Sequence, residues 1–383
     1  MSDDINEQRR KVLKVTGAIS AAAMITSPFH VFATEPNRRI PSQGYAAFDE
    51  SGILKPWTFE RRPVGDHDIL IETKFASICH SDIHQEKGHW GKQQYPQVPG
   101  HEIVGMVAAV GKNVTKFKVG DRAGVGCMCG NHYHKHDTYE EQYSPDTLFT
   151  YGYPDTRSPS GITQGGYSNN IVVEENFAVH IPENVSFQEA VPLLCAGITT
   201  YSPLMRADIK KGMKVGVAGI GGLGHLAVKI AVSKGCDVYA FTTSPSKVKD
   251  IESFGATAVV VNDLSKLQEY SGQMDYVIST IPYDFNVAAY AATVKPYGTF
   301  TQVGMPIRSE VTMNALYLAF SRVNFNASLI GGMKETQEVV NYCADNKVLP
   351  QIEMIQADQI NQAWENVVDK KARYRYVIDA STF

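Results

Sequence analysis

Two cysteines and one histidine stand in short motifs that could form a metal site. They are Cys79 in ICHSDIH, His101 in PGHE and Cys195 in LLCAGIT. A catalytic zinc typically takes three protein ligands and leaves a fourth position open for water or substrate. Any one of these residues alone would more often be structural, because buried cysteine commonly acts as a small apolar residue. The three motifs together predict a catalytic zinc site.

A glycine loop, Gly219-Ile-Gly-Gly-Leu-Gly224, is the second chemical signal. It follows a predicted apolar strand and opens a predicted helix, which is the setting of a dinucleotide site. Gly219 permits the tight turn, Gly221 leaves room for a pyrophosphate, and Gly224 lets helix and strand pack closely. The start of the helix, with Gly222 and Leu223, offers N–H groups to the phosphates. A glycine-rich turn without a ligand remains the alternative.

The end of the next predicted strand, Val238 to Thr242, bears on the choice of cofactor. An NAD site usually has an acidic residue about 20 positions beyond the glycine loop, bonded to the ribose. Here hydroxyl groups and one lysine follow instead, namely Thr242, Thr243, Ser244, Ser246 and Lys247. A carboxylate about 4 Å from a 2′-phosphate would be unfavourable by ~4 kcal/mol at a near-surface dielectric. The sequence therefore favours NADP(H), although the same residues could simply cap the following helix.

The elements that must position these residues change character along the chain. Before residue 190, alternation and turn residues predict strands at 67–78, 102–110, 121–126 and 166–181. The first of them is expected to be half-buried, with Ile69, Ile71, Thr73 and Phe75 on one face. Later predicted strands, at 214–218, 237–242, 257–261, 275–279 and 298–303, alternate with helical segments such as 223–233. The predicted fold class is therefore α/β, with a mostly β part followed by a doubly wound parallel sheet.

A chain of 383 residues is too long for one ordinary core, so two domains are expected. A helix at 337–343 and a helix-then-strand ending at 358–379 are expected to fold back onto the first domain. The hydrophobic content of 43% and the charged content of 20% are ordinary for a globular protein. A net charge of −4 gives no attraction for nucleic acid or for an anionic membrane. Six scattered cysteines do not suggest a disulfide framework.

The first 33 residues differ from the rest of the chain. Gln8-Arg-Arg-Lys-Val-Leu-Lys14 precedes a weakly apolar run from Val15 to Met24, and Val31-Phe-Ala33 is a plausible cleavage site. This pattern predicts a twin-arginine export signal over residues 1–33, with a surface helix as the alternative. The apolar run is too short for a permanent membrane span. The predicted location is the bacterial periplasm, or the cytoplasm if the signal is inactive.

Several longer strings carry a resemblance to a known family. They are Ser77-Ile-Cys-His-Ser-Asp82, Tyr95-Pro-Gln-Val-Pro-Gly-His-Glu102, Lys118-Val-Gly-Asp121, Gly165-Gly-Tyr-Ser168, Ser244-Pro-Ser-Lys247 and Arg373-Tyr-Arg-Tyr-Val-Ile-Asp379. With the metal and glycine motifs, they make the chain resemble the zinc-dependent medium-chain dehydrogenases, in particular the cinnamyl alcohol dehydrogenase group. The resemblance implies a GroES-like catalytic domain (40–190, completed by 331–383) and a Rossmann NADP-binding domain (191–330). It also implies a homodimer joined through the sheet edge near Asn326 to Ile330.

The resemblance further implies a role for each residue around the metal. Cys79, His101 and Cys195 would bind the catalytic zinc, and Glu102 would stand beside it as an alternating ligand. Asp82 would accept a hydrogen bond from His101 and fix its tautomer. In the implied reaction, the carbonyl oxygen is polarised by zinc and the hydride comes from the reduced nicotinamide.

A proton path is implied as well. Ser81 would protonate the substrate alkoxide, and His84 would be reached through the ribose hydroxyls of the nicotinamide. An acidic residue often stands in the family where this chain has His89. Structural roles remain as alternatives, because Ser81 and Asp82 could cap a helix and His84 could lie on its surface.

The chain departs from the family in one region. Family members usually carry a structural zinc held by four cysteines, whereas this chain reads Gly126-Cys-Met-Cys-Gly-Asn-His-Tyr-His-Lys-His136 and has Ser144 at the last ligand position. The four-cysteine site is lost. Either this lobe is held by packing without a metal, or a second site is rebuilt from among Cys127, Cys129, His132, His134 and His136. One zinc per chain, the catalytic one, is the expectation.

The sequence therefore predicts a zinc oxidoreductase that uses NADP(H) and acts on a small primary alcohol or aldehyde, aromatic or of medium length. By the resemblance, Trp90 would line the pocket and favour flat or bulky substrates. A non-catalytic exported NADP-binding protein that keeps the fold is the alternative, and a zinc-free reductase of the same superfamily is a third possibility. Retention of Cys79, Cys195 and Ser81 argues against both.

Overall fold

The computed structural model describes residues 38–131, 140–307 and 310–383. The strands in these ranges are β1 (Ile40–Ala47), β2 (Leu54–Arg61), β3 (Asp68–Ser77), β4 (Ile103–Val110), β5 (Arg122–Val125), β6 (Met128–Asn131), β7 (Thr147–Phe149), β8 (Asn170–Glu174), β9 (Ala178–His180), β10 (Lys214–Ala218), β11 (Asp237–Thr242), β12 (Thr257–Val260), β13 (Met274–Ser279), β14 (Val294–Gln302), β15 (Asn324–Ala327), β16 (Ile352–Ile355) and β17 (Arg375–Asp379). The α-helices are α1 (His80–Glu86), α2 (Phe187–Ala190), α3 (Ala196–Arg206), α4 (Gly224–Ser233), α5 (Val248–Ser253), α6 (Ser265–Gln268), α7 (Val287–Ala291), α8 (Ala315–Ser321), α9 (Met333–Asn346) and α10 (Ile360–Val368).

The later strands form a six-stranded parallel sheet in the order β12-β11-β10-β13-β14-β15. The strand order reverses between β10 and β13, and ligands of such sheets bind at this switch point, beyond the carboxyl ends of the strands. The glycine loop follows β10 directly, so the topology places it at the switch point. The α/β fold class predicted from the sequence is confirmed.

The first part of the chain forms a mixed sheet in the order β16-β17-β3-β4-β5-β9, with β8 also paired to β3. Its pairs are antiparallel except for β16 with β17. Strand β17, near the end of the chain, therefore lies beside β3 and brings the C-terminal segment next to α1.

Strand β3 is buried on both faces over its first half, so the prediction of a half-buried strand is wrong. Ile69 and Ile71 pack into one apolar cluster, whereas Leu70 packs into another with Ala109 and Val172. Buried and exposed residues do not alternate along this half of β3, because an apolar layer covers each face of the strand.

Two further predicted elements have different boundaries. The segment 166–181 is broken by a turn at Glu175–Phe177, where the Glu175 carboxylate accepts the backbone N–H groups of Thr115 and Lys116 at 2.8 and 2.7 Å. Helix α9 starts four residues earlier than predicted, at Met333, whose N–H donates to the Glu141 carboxylate at 3.1 Å. Both differences depend on contacts between residues far apart in the chain.

The largest apolar cluster runs through both sheets. It joins Val104 and Val179 of the mixed sheet to Val217 and Ile278 of the parallel sheet. Helix α3 contributes Ile198 to this cluster, so the residue just before that helix, Cys195, is held between the two sheets. Within the described ranges, no helix combines the length and apolar character that crossing a membrane requires.

Candidate metal and cofactor site

Four side chains with metal-ligating atoms converge although they come from three distant parts of the chain. Cys79 precedes α1, His101 and Glu102 precede β4, and Cys195 precedes α3. Their ligand atoms all lie within 4.8 Å of one another, and all four residues are buried. We call these four residues the metal cluster. In the described part of the chain, this is the one group of three or more His, Cys, Asp or Glu side chains that could hold a metal ion.

Asp82 is fully buried and holds the metal cluster in position. Its Oδ1 accepts the Nδ1–H of His101 and the hydroxyl of Tyr151, both at 2.9 Å. Its Oδ2 accepts the backbone N–H of Cys79 and the hydroxyl of Tyr167, also at 2.9 Å. With its proton on Nδ1, His101 keeps Nε2 available for a metal. Cys79 is the N-cap residue of α1 and Asp82 completes its capping box, so the capping role considered for Ser81 and Asp82 is wrong for Ser81 and correct for Asp82.

Glu102, the carboxylate of the metal cluster, already has strong partners. Its carboxylate accepts the hydroxyl of Ser77, pairs with the guanidinium of Arg375, and accepts the N–H of Ala196 at 3.2 Å. Burial raises the pKa of Glu102 to about 7, although the charge of Arg375 opposes that shift. The sequence motifs did not reveal Arg375 as a site residue, because it lies 273 residues from Glu102.

The two thiols are positioned as a ligand pair. The sulfur atoms of Cys79 and Cys195 are 4.0 Å apart. A hydrogen bond from the Cys195 thiol, together with His101, lowers the pKa of Cys79 against the effect of burial. Zinc binds thiolates and neutral imidazole, and binding releases the thiol protons. The donor set of two cysteines, one histidine and a neighbouring carboxylate fits zinc.

The residues of the predicted proton path lie beside the cluster. Ser81 lines the cavity, with its hydroxyl oxygen 3.7 Å from the Cys79 sulfur. The Nδ1 atoms of His84 and His89 are 2.8 Å apart, so one ring donates to the other. Burial lowers the pKa of His84 to about 4, which keeps this imidazole neutral near pH 7. The structure therefore brings His84 into contact with the histidine that stands where the family often has an acid.

One cavity of about 840 Å³ is lined by Cys79, His101 and Cys195 of the metal cluster and also by the glycine loop. Aromatic rings form much of its wall, including Trp90, Phe149, Tyr151, Tyr153, Tyr283 and Phe285. The rings of Phe149 and Tyr153 lie 4.8 Å apart, and Trp90 packs against His84 at 5.1 Å. Trp90 thus lies in the pocket, as the resemblance implied.

The glycine loop has the geometry of a phosphate cradle. Gly219 has φ +86°, and a Cβ on Gly224 would lie 1.9 Å from the Gly219 carbonyl oxygen. A Cβ on Gly221, by contrast, would have no atom within 4 Å. Glycine at this position is therefore not needed for packing and leaves space on the cavity side. Gly222 and Leu223 line the same cavity, and a Cβ on Gly222 would be 2.9 Å from the Arg375 guanidinium.

The residues predicted to choose the cofactor also line this cavity, beyond the end of β11. They are Thr242, Thr243, Ser244 and Lys247. The Lys247 ammonium is nearly buried and donates to the carbonyl oxygen of Ile220 at 2.6 Å, so it ties this loop to the glycine loop. Among the described residues that line the cavity away from the metal cluster, the acidic one is Asp284, which follows β13 and not β11.

The lobe that departs from the family contains the hairpin of β6 and β7. Its two cysteines face different spaces, because Cys127 lines the large cavity and Cys129 lines a small one. Burial raises the pKa of Cys129 to about 12, which keeps it a neutral thiol. The other members of the rebuilt site considered above, His132, His134 and His136, lie outside the described residues, as does the predicted export signal at 1–33.

Two family profiles match the chain. The profile "Alcohol dehydrogenase GroES-like domain" matches residues 65–183, and the profile "Zinc-binding dehydrogenase" matches residues 222–345. The first match contains Cys79, His101 and Glu102, and the second begins inside the glycine loop.

Individual proteins match over nearly their whole length. NADP-dependent alcohol dehydrogenase C 1 of Mycolicibacterium smegmatis is 42% identical over 342 residues, which cover 88% of this chain and 97% of that protein. Cinnamyl alcohol dehydrogenase 2 of Arabidopsis thaliana is 41% identical over 346 residues, covering 88% and 91%. The crystal structure of the cinnamyl alcohol dehydrogenase of Helicobacter pylori complexed with NADP(H) superposes with a TM-score of 0.85 at 39% identity. It covers 90% of this chain and 99% of that one.

Proposed function

Because the chain belongs to the zinc-dependent medium-chain alcohol dehydrogenase family, we propose that it transfers a hydride between NADP(H) and a primary alcohol or its aldehyde. The observation that carries this proposal is the shared cavity, which is lined by Cys79, His101 and Cys195 of the metal cluster and by the glycine loop. A substrate in this cavity can meet a metal and a nicotinamide at the same time.

NADP(H) is the cofactor that the residues beyond β11 favour. Hydroxyl groups and an ammonium line this part of the cavity, and the strand is not followed by the acidic residue that an NAD site usually has. Relatives support the same choice, since the matching alcohol dehydrogenase of M. smegmatis is NADP-dependent and the H. pylori structure contains NADP(H).

The metal cluster is proposed to hold one zinc ion through Cys79, His101 and Cys195, with Glu102 as the neighbouring carboxylate. Zinc bound there would supply a Lewis acid that polarises the substrate carbonyl. The chain's own contribution is to keep His101 in one tautomer through Asp82 and to bury all the ligands. Burial excludes bulk water, so charge that develops on the substrate oxygen interacts more strongly with its surroundings.

Ser81 is proposed to hold the proton that the substrate oxygen gains or loses, since its hydroxyl lines the cavity next to Cys79. His84 can accept a proton at one ring nitrogen while it releases one from the other, and it stays neutral overall. Its contact with His89 at 2.8 Å extends the path to a partly exposed side chain. In this chain, therefore, the imidazole of His89 is the outermost group of the proposed proton path.

Aromatic primary alcohols and aldehydes are the proposed substrates. Flat aromatic rings stack well on other rings, and the cavity wall offers Trp90, Phe149 and Tyr153. The cavity volume of about 840 Å³ lies in the usual range for small-molecule sites.

The test is a comparison of aldehydes and cofactors with the purified protein. We expect NADPH oxidation with cinnamaldehyde to exceed that with hexanal, and NADH to be a poor substitute. Equal rates with both aldehydes would reject the aromatic preference. Tight NADPH binding without turnover of any aldehyde or alcohol would favour the non-catalytic, exported NADP-binding protein.

Two further proposals concern the whole molecule. Export is proposed from the twin-arginine motif at Arg9 and Arg10. Cell fractionation that finds the protein only in the cytoplasm would reject this proposal.

A homodimer is proposed because β15 is an edge strand and Phe320 of α8 nearby is 84% exposed. Light scattering should give twice the chain mass of 42.2 kDa, and a monomer at micromolar concentration would contradict the proposal.

A further inference from the structure

The C-terminal segment forms a second wall around the cofactor end of the cavity. Lys370, Ala372 and Tyr374 line the cavity together with Thr243 and Ser244. Of these, the first three lie between α10 and β17, whereas the last two follow β11 of the parallel sheet. Two segments more than 100 residues apart therefore face the same space.

Arg373, between the lining residues Ala372 and Tyr374, makes a direct contact between the two segments. Its Nη2 donates to the hydroxyl of Ser246 at 2.7 Å, and its Nε lies 3.6 Å from the Asp250 carboxylate. Among the residues that the structure describes, the other terminal nitrogen, Nη1, has one hydrogen-bond acceptor, the carbonyl oxygen of Ala372 at 3.4 Å. A guanidinium has five N–H donors in a planar fork, so Arg373 keeps donors for a further acceptor.

Three cationic side chains and one carboxylate interact at this end of the cavity. The cations are Lys247, Arg373 and Lys370, and the carboxylate is Asp250. Burial, together with the charges of Arg373 and Lys370, lowers the pKa of Lys247 to about 8, whereas the charge of Asp250 opposes the shift. Asp250 is already shared, because it also accepts the hydroxyl of Tyr374 at 2.8 Å. Like charges held this close are unfavourable unless an anion lies between them.

We infer that Arg373, with Lys370, completes the site for the 2′-phosphate of NADP(H), so that the phosphate is bound from both walls at once. This inference rests on the proposed function. The position is that of the adenosine ribose, because the ribose hydroxyls of a dinucleotide lie at the end of the strand that follows the glycine loop's helix. Arginine suits a phosphate better than lysine does, because its fork can donate two parallel hydrogen bonds.

A purely structural role for Arg373 would leave a different signature. The pair with Asp250 is about one-third exposed on both sides, and such pairs contribute little to stability. Loss of this pair would affect NADPH and NADH binding alike. Loss of a phosphate contact would affect NADPH alone, since NADH lacks the 2′-phosphate.

The experiment measures equilibrium binding of NADPH, NADH and 2′,5′-ADP to the full-length protein by calorimetry. We expect Arg373→Gln to weaken NADPH and 2′,5′-ADP binding about 10- to 100-fold, because it removes charge-assisted hydrogen bonds. NADH binding should stay within about twofold, and Arg373→Lys should fall between the wild type and Arg373→Gln. The matched control is Arg39→Gln, because Arg39 pairs at 2.9 Å with Glu60 on an exposed surface.

The outcomes separate the inference from the function on which it rests. If the wild type itself binds NADPH no better than NADH, the proposed cofactor is wrong. If the wild type prefers NADPH and Arg373→Gln keeps the same preference, the role of Arg373 is wrong. An equal loss of both cofactors in Arg373→Gln would show a structural role and also overturn the inference.

Discussion

The metal cluster and the β6–β7 lobe hold their parts of the chain together in different ways. In the cluster, metal-ligating atoms from three distant segments converge within 4.8 Å, and buried Asp82 aligns them. Beside the lobe, charged side chains make connections instead: Arg157 pairs with Asp155 at 3.0 Å and with Glu174 of β8 at 2.9 Å, and Glu174 also accepts the N–H of Asn131 in β6 at 3.3 Å. The two regions therefore differ in what joins distant segments: metal-ligating atoms converge in the cluster, and ion pairs connect the described residues beside the lobe.

Loss of a cluster thiol should have the largest effect of any change in either region. Cys79→Ser is expected to lower kcat/KM for NADPH-dependent aldehyde reduction by about 10³-fold or more, because the Lewis acid is lost with the metal. Zinc content measured by mass spectrometry should fall in parallel. Cys129→Ser in the lobe is the matched control, and it should retain one zinc per chain and full activity. Two zinc ions in the wild type, with one lost in Cys129→Ser, would show that the lobe also binds metal.

The second prediction concerns the residue that aligns the cluster. Asp82→Asn should weaken zinc binding and reduce activity about 10- to 100-fold, as is usual when the partner of a metal-bound histidine is changed. Tyr167→Phe removes another hydrogen bond to Asp82 and leaves His101 untouched. Its effect on zinc affinity, measured by competition with a chelator, should be much smaller. Equal effects of the two substitutions would argue that Asp82 acts only through folding.

The third prediction tests the ion pairs of the lobe. Arg157→Ala removes a guanidinium that pairs with the carboxylates of Asp155 and Glu174, and both of these side chains are buried, at 4% and 6% exposed. The free energy of unfolding should fall by about 1–3 kcal/mol, because Arg157 itself is 35% exposed and partly screened. Denaturant unfolding measures the change. Zinc content should not change, and its loss would mean that the two regions are coupled.

The fourth and smallest prediction concerns Glu86, one turn beyond Asp82 on α1. Its carboxyl oxygens are buried and have no hydrogen-bond partner among the described residues. Burial, and secondarily the charge of Asp82, raise the pKa of Glu86 well above 4.5. The folded state therefore binds this proton more tightly than the unfolded state. Stability must fall as pH rises from the unfolded pKa towards the folded one.

Glu86→Gln removes this pH-dependent loss. The variant should gain about 1 kcal/mol or more over the wild type at pH 8, and the gain should shrink towards pH 5. Denaturant unfolding at both pH values gives the comparison. A gain that does not depend on pH would mean that Glu86 is ionised in the folded state.

The sequence predicted the cluster well because its ligands stand in local motifs. Cys79, His101 and Cys195 each carry a recognisable string, and the glycine loop follows its strand as expected. The structure brings all three ligands together with Glu102.

The contacts that motifs cannot report were missed. Arg375 reaches Glu102 across 273 residues, and Arg373 reaches Ser246 across 127. Neither pairing leaves a local pattern, because the C-terminal segment packs beside α1 only after β17 joins β3. Strand β3 was judged half-buried for the same reason, since apolar layers on both faces are a property of the assembled sheet.

Removal and restoration of the metal would test most directly whether the metal cluster holds a zinc ion that NADPH-dependent aldehyde reduction requires. The rate of NADPH oxidation with cinnamaldehyde would be measured before treatment with a zinc chelator, after it, and after addition of zinc. We predict that activity disappears with the metal and returns when one zinc ion per chain is bound again. Full activity in protein shown to contain no zinc would mean that the reaction does not require the metal.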